Sequence, residues 1–178
     1  MSKSLGNVIF AKHFAKIYGV NIFRYLILNS HYNQVINFSE ELIKQAIDYV
    51  RKIKNLLKRL NFYLYIGKIK VVKQKSQQEE IINSLLNNLN TIKTLFFLEQ
   101  IINSLNKSID KRENDSEKLQ KTINDFYFIL SLLGFRFDLP PYSLEVKLLI
   151  KKWQDLRNKS DYTQADKIRK KLQEMDVL

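Results

Sequence analysis

Residues 39–60 read SEELIKQAIDYVRKIKNLLKRL, and this stretch decides the fold class. Ser39 is a good helix N-cap, and Glu40 and Glu41 favour the positive end of a helix dipole. Leu42, Ala46, Val50, Ile53, Leu57 and Leu60 recur mainly at three- and four-residue spacing, which predicts one apolar stripe on a long helix. Lys52, Lys54, Lys58 and Arg59 fall mostly off that stripe. With the lysines at 68–75 they read as a wet basic face, either following a phosphate backbone or simply solvated.

Working outward, residues 10–19 (FAKHFAKIYG) fit a short helix stopped by Gly19, and residues 20–32 (VNIFRYLILNSHY) a second with Phe23, Leu26 and Ile27 on one face. Residues 65–78 (YIGKIKVVKQKSQQ) lose the helical rhythm and read as a basic loop or a brief extended excursion. Ile82, Leu85, Leu86 and Leu89 predict a further amphipathic stretch, and Asn90 restarts a helix through Ile92, Leu95, Phe96 and Ile102. The charged run at 107–118 (KSIDKRENDSEK) is a solvated connection or helix end. Leu119, Ile123, Phe126, Ile129, Leu130 and Leu133 mark another helix, closed by Gly134. Phe96, Phe97, Phe126, Tyr127 and Phe128 sit at helical spacing and are expected in the core.

Residues 137–143 (FDLPPYS) form the strongest boundary, because two consecutive prolines cannot continue a helix. Beyond it come a helix with Leu144, Leu148, Leu149, Trp153 and Leu156 and another from about Tyr162 with Ile168 and Leu172. The turn NKSD joins them, capped by Ser160 or Asp161, which predicts a helical hairpin with a polar, basic tip. The expected fold class is therefore all-α.

Composition narrows the function classes. Two prolines and four glycines in 178 residues favour long helices. Thirty Lys and Arg against 18 Asp and Glu leave a formal charge of +12, a potential suited to a polyanion such as RNA, DNA or an acidic surface. The absence of cysteine excludes disulfides and thiolate metal sites, and His13 and His31 have no companion carboxylate motif that would suggest a metal site. No apolar run is long enough to span a bilayer and no signal-peptide layout occurs, so the expected compartment is the cytoplasm.

Three segments add a resemblance. Residues 1–9 (MSKSLGNVI) resemble the KMSKS signature of class I aminoacyl-tRNA synthetases, lacking its first lysine. Residues 24–46 (RYLILNSHYNQVINFSEELIKQA) look like the tract of cysteinyl-tRNA synthetases in which S-x-H-Y leads through NFSEE into a long helix. Residues 149–175 (LIKKWQDLRNKSDYTQADKIRKKLQEM) are similar to the C-terminal hairpin of that family, the pattern being carried by Arg157, Asp161, Tyr162, Ala165, Asp166, Ile168 and Arg169. Residues 86–106 match more loosely, and the chain departs from the family pattern at Asn33, Asn87, Asn88 and Ile92.

The resemblance implies the part of such an enzyme from the KMSKS loop onward: a loop and junction helices at 1–38, a helical tRNA-binding bundle at 39–137, and an anticodon-recognition hairpin at 138–178. It implies Lys3 as the catalytic residue, holding ATP phosphates as charge develops on the leaving pyrophosphate, with Ser2 and Ser4 shaping the loop. It implies Arg157, Asp161, Tyr162 and Asp166 as tRNA-binding residues. Tyr162 would be the stacking platform, Arg157 and Asp166 the edge readers, and Asp161 equally a helix cap. His31 and Tyr32 are expected near the junction, the histidine satisfied and partly buried, and Trp153 packed in the hairpin.

The complete enzyme would use ATP with magnesium, carry zinc in its catalytic domain, bind tRNA(Cys) as a cytoplasmic monomer, and require neither DNA nor membrane. The family's nucleotide-binding fold, HIGH motif and zinc ligands have no counterpart in these 178 residues, so this chain alone is expected not to aminoacylate. The rival expectation is a stand-alone, non-catalytic helical protein that binds tRNA or other RNA.

Overall fold

The computed structural model describes residues 11–36, 38–72, 78–113 and 117–177. Among these the chain is all-α, as the periodicity predicts. The helices are α1 (Ala11–Tyr18), α2 (Val20–Leu28), α3 (Glu40–Gly67), α4 (Gln78–Leu86), α5 (Thr91–Lys111), α6 (Glu117–Leu132), α7 (Leu144–Asn158) and α8 (Tyr162–Glu174).

α3 organises the rest, because three apolar clusters follow one another along it. At its start Ala46 packs with Phe14 of α1 and Leu26 of α2. In its middle Ile53, Leu56, Leu57 and Leu60 join Leu98, Ile102 and Leu105 of α5 and Ile123, Phe126 and Ile129 of α6, all buried. At its end Phe62 meets Val146 and Ile150 of α7 and Ile168 and Leu172 of α8. The Ser39 cap forms as expected, its Oγ accepting from the Leu42 N–H at 3.2 Å. The helix outlasts the expected break near Tyr65, running to Gly67 and closing with Lys68 in the left-handed region at φ 52°. Ile66 continues the apolar face onto the third cluster, and that packing outweighs the weak local pattern.

Polar side chains fasten the irregular segments. Gln120 donates to the Lys70 carbonyl at 2.9 Å and accepts from the Val72 N–H at 3.1 Å, while Asn124 donates to the Val72 carbonyl at 2.8 Å. Residues 70–72 thus gain from α6 the backbone partners that a neighbouring strand would otherwise supply. Asn21 of α2 treats Arg136 the same way, donating to its carbonyl at 2.6 Å and accepting from its N–H at 3.1 Å. Gly134, at φ 74°, ends α6 where a Cβ would meet Arg24 Nε at 3.2 Å. The positive φ favours glycine there, and a Cβ would oblige the Arg24 side chain to give by a few tenths of an ångström.

Several side chains lie opposite to expectation. In α4 the buried face is Ile81 and Ser84, whereas Ile82, Leu86 and Leu89 are exposed. The Ser84 hydroxyl can go inward because it donates to the Ile81 carbonyl at 2.6 Å and meets the Thr94 hydroxyl at 2.7 Å. Ile27, Ile92, Leu144 and Leu148 are also exposed. The aromatic group divides: Phe126 is fully buried and Phe97 and Phe128 pack on the core, but Phe96 is 59% exposed and Tyr127 43%. Helical spacing names a face but not which neighbours cover it.

Candidate nucleic-acid interface

The turn between α7 and α8 is built by backbone geometry. Ser160 takes φ 60° and its N–H donates to the Arg157 carbonyl at 3.0 Å. Asp161 then caps α8, its Oδ1 accepting from the Gln164 N–H at 3.1 Å. Of the two caps the sequence allows, Asp161 is the one used. The cap sets Tyr162 and Asp166 one helical turn apart on an exposed side of α8, while Ala165 and Ile168 turn inward.

Arg157 lies over the indole of Trp153, its guanidinium carbon 4.9 Å from the ring centroid. Trp153 in turn packs against Phe62 of α3, with centroids 5.8 Å apart. The stack restricts the guanidinium plane, and Arg157 makes no ion pair among the described residues. Its donors therefore remain free for a ligand.

Arg157, Tyr162 and Asp166 line one groove of about 1440 Å³, and Asp161 stands outside it as the cap. The ends of α3 and α5 line it as well, through Tyr65, Lys68 and Arg112. Lys147, Lys151 and Arg169 add further cations, against Asp155 and Asp166 as the carboxylates. Of the residues at those two helix ends the sequence names Lys68, one of the lysines at 68–75 that read as following a phosphate backbone, but not Tyr65 or Arg112. The signal available for Lys147 and Lys151 was their four-residue spacing on α7. Lys68 has a local signal in the basic run at 68–75, whereas Arg112 has none, since only the meeting of two helix ends brings it there.

The basic face expected on α3 takes a different form. Lys52 pairs with Glu99, Lys58 with Asp176, and Arg59 with Asp110 at 2.8 Å and Asn106 at 2.6 Å. That side of the helix is covered by α5 and by the turn after α8, so these three charges are answered within the chain, while Lys54 stays exposed and makes no ion pair among the described residues. Arg59 still borders the groove.

His31 is half-buried and stacks on Tyr32 at 4.6 Å. The Asn88 carboxamide lies between the pair, its Oδ1 accepting from the Tyr32 hydroxyl at 2.7 Å and its Nδ2 3.3 Å from His31 Nε2. Asn88 thus ties the loop after α2 to the turn before α5. Ser2, Lys3 and Ser4 lie outside the described residues, as do Lys73 and Lys75.

Sequence comparison decides the kinship. A family model described as tRNA synthetases class I (C) catalytic domain matches residues 1–48. The cysteine–tRNA ligase of Mesoplasma florum is 34% identical over 183 residues, covering 100% of this chain and 41% of the relative. That of Mycoplasma capricolum is 36% identical, again over 100% of this chain and 41% of the relative. The chain is homologous to cysteinyl-tRNA synthetases. The more distant Thermotoga maritima cysteine–tRNA ligase is still 30% identical across 100% of this chain. The chain spans about 40% of the length of the curated cysteine–tRNA ligases it matches.

Proposed function

We propose that these residues form the tRNA-binding part of a cysteine–tRNA ligase, an ATP-dependent enzyme that activates L-cysteine and joins it to tRNA(Cys). The observation that carries the reading is the single groove holding Arg157, Tyr162 and Asp166. An exposed aromatic face, a guanidinium held by stacking and a carboxylate are the groups that read unstacked bases. α7 and α8 are the anticodon-recognition hairpin in this reading. Tyr162 stacks on a base, Arg157 donates to base acceptors, Asp166 accepts from an exocyclic amine, and Asp161 shapes the tip.

Lys3, with Ser2 and Ser4, supplies the KMSKS loop, whose cation meets the phosphates of magnesium-bound ATP. Zinc belongs to the catalytic domain of the complete enzyme. Among the described residues no three His, Cys, Asp or Glu side chains gather where they could hold a metal, so nothing here is assigned to it. The working molecule is a cytoplasmic monomer with no DNA or membrane partner, and the division at 1–38, 39–137 and 138–178 separates junction, bundle and hairpin.

The test is binding of tRNA(Cys) and of a non-cognate tRNA by the 178-residue chain, together with cysteine-dependent ATP–pyrophosphate exchange. Preferential binding of tRNA(Cys) with no exchange is expected. Equal affinity for both tRNAs would remove the anticodon-reading role, and exchange by this chain alone would overturn the claim that activation needs the rest of the enzyme.

A further inference from the structure

The groove has cations that base reading does not use. We propose that Lys68 and Arg112, at the ends of α3 and α5, act with Lys147 and Lys151 of α7 as a clamp on the phosphate backbone of a single-stranded RNA loop, with Tyr65 as a second stacking face. This rests on the tRNA-binding reading and extends it from the α7–α8 tip to helices α3 and α5.

Four observations converge. The groove, at about 1440 Å³, exceeds the roughly 300–1,000 Å³ typical of small-molecule clefts and suits a chain-like ligand. All four cations are exposed, and none makes an ion pair among the described residues. Seven Lys and Arg side chains line the groove, and Arg59 is the one of them that makes an ion pair among the described residues. Aromatic faces accompany it: Tyr162 is 61% exposed and Tyr65 40%, the latter held at 82° to Tyr142. Phosphate-tracking cations beside stacking faces are the recurring arrangement for single-stranded nucleic acid, whereas an acidic protein partner would leave the aromatic faces without a role.

The fourth observation is conformational. Lys68 and Arg112 take φ 52° and 53°, in the left-handed region where glycine is favoured, and at the end of α6 the chain does use Gly134. At the two helix ends that open on the groove it places long cations instead, where the other non-glycine residues at positive φ among the described residues, Asn88, Leu89, Ser160 and Asp176, carry no cation. A cation there also complements the helix dipole, and a test must separate that role from RNA binding.

The Lys68→Gly/Arg112→Gly double variant makes the separation, because glycine suits the left-handed cap while removing both charges. The full chain is titrated with tRNA(Cys) and with its isolated anticodon stem-loop over a range of salt. The clamp predicts at least a tenfold loss of affinity near 0.1 M salt. The slope of log K against log salt should fall by about 1.4, two single-strand phosphate contacts at about 0.7 each. Lys147→Gln/Lys151→Gln, on exposed α7 positions, should give a comparable loss, and the helical circular dichroism of both variants should match the parent.

Unchanged affinity and slope in both double variants, with Tyr162→Ala still weakening binding, would overturn the clamp and leave the tRNA-binding reading standing. Failure of the parent chain to bind either RNA would overturn both. Equal competition by poly-glutamate of matched charge would overturn the choice of RNA as the occupant.

Discussion

Lys58 of α3 and Asp176 in the turn after α8 form an ion pair across 118 residues of chain. The hydrogen bond from Lys58, and then its charge, hold the Asp176 carboxyl below its ordinary value. The folded carboxyl therefore titrates lower than the unfolded one. The pairing contributes fully above about pH 4, the ordinary Asp value, and is lost as the pH falls through the depressed value. Trp153 is the one tryptophan in the sequence and packs on Phe62 of the same helix. Its fluorescence should report an acid-induced step below about pH 4, and Asp176→Asn should flatten that step. A step unchanged in Asp176→Asn would mean that apolar contact alone fastens α7 and α8 to α3.

Tyr162→Ala should lower RNA affinity by about 1–3 kcal/mol, the usual worth of one base stacked on an aromatic ring. Tyr162→Phe should keep most of it, because the hydroxyl makes no hydrogen bond among the described residues. Filter binding with the anticodon stem-loop measures both, and equal losses in the two variants would argue for a contact through the hydroxyl instead.

The divided aromatic group makes a paired stability prediction. Phe126→Ala removes a fully buried ring and should cost about 3–5 kcal/mol in denaturant unfolding. Phe96→Ser, at a residue 59% exposed, should change stability by no more than about 0.5 kcal/mol. A large loss from the second would place Phe96 against a partner surface.

Ser84 and Thr94 satisfy each other's hydroxyls inside the contact between α4 and α5. Thr94→Val alone should cost about 0.5–1.5 kcal/mol, the net worth of the shared hydrogen bond, since Ser84 keeps its bond to the Ile81 carbonyl. Ser84→Ala should cost less in that background than in the parent, because the shared bond is already gone. A double-mutant cycle with zero coupling would show that the two hydroxyls act independently.

Much of the fold is legible in short-range pattern. The cap at Ser39, the stop at Gly134 and the helix break at Pro140 and Pro141 each follow from local backbone chemistry, and the structure places all three where the sequence does. The phase of α4 is not legible, because Ser84 is polar by composition and core by virtue of a partner ten residues away. The same reason hides the fate of Lys52, Lys58 and Arg59, whose counter-charges lie in α5 and after α8. At the candidate interface Arg157, Tyr162 and Asp166 could be named from their local pattern. The rest of the lining could be named only in part: Lys68 belongs to the basic run at 68–75, while Arg112 joins it only after two helices have packed side by side.

α3 contributes to all three apolar clusters, from Ala46 near one end to Phe62 near the other. At 1.5 Å of rise per residue those two anchors stand about 24 Å apart, with the cluster on α5 and α6 between them. The helix is therefore a gauge: the count of residues within it sets both the distance and the angle between the groove and the α1–α2 end of the molecule. One inserted residue would swing α7 and α8 by about 100° about the axis of α3, whereas seven would nearly restore their bearing but carry them about 10 Å further out. Insertions in α3 should thus be tolerated by stability and by alignment on different schedules, because a helix can repack after a turn while a measured span cannot.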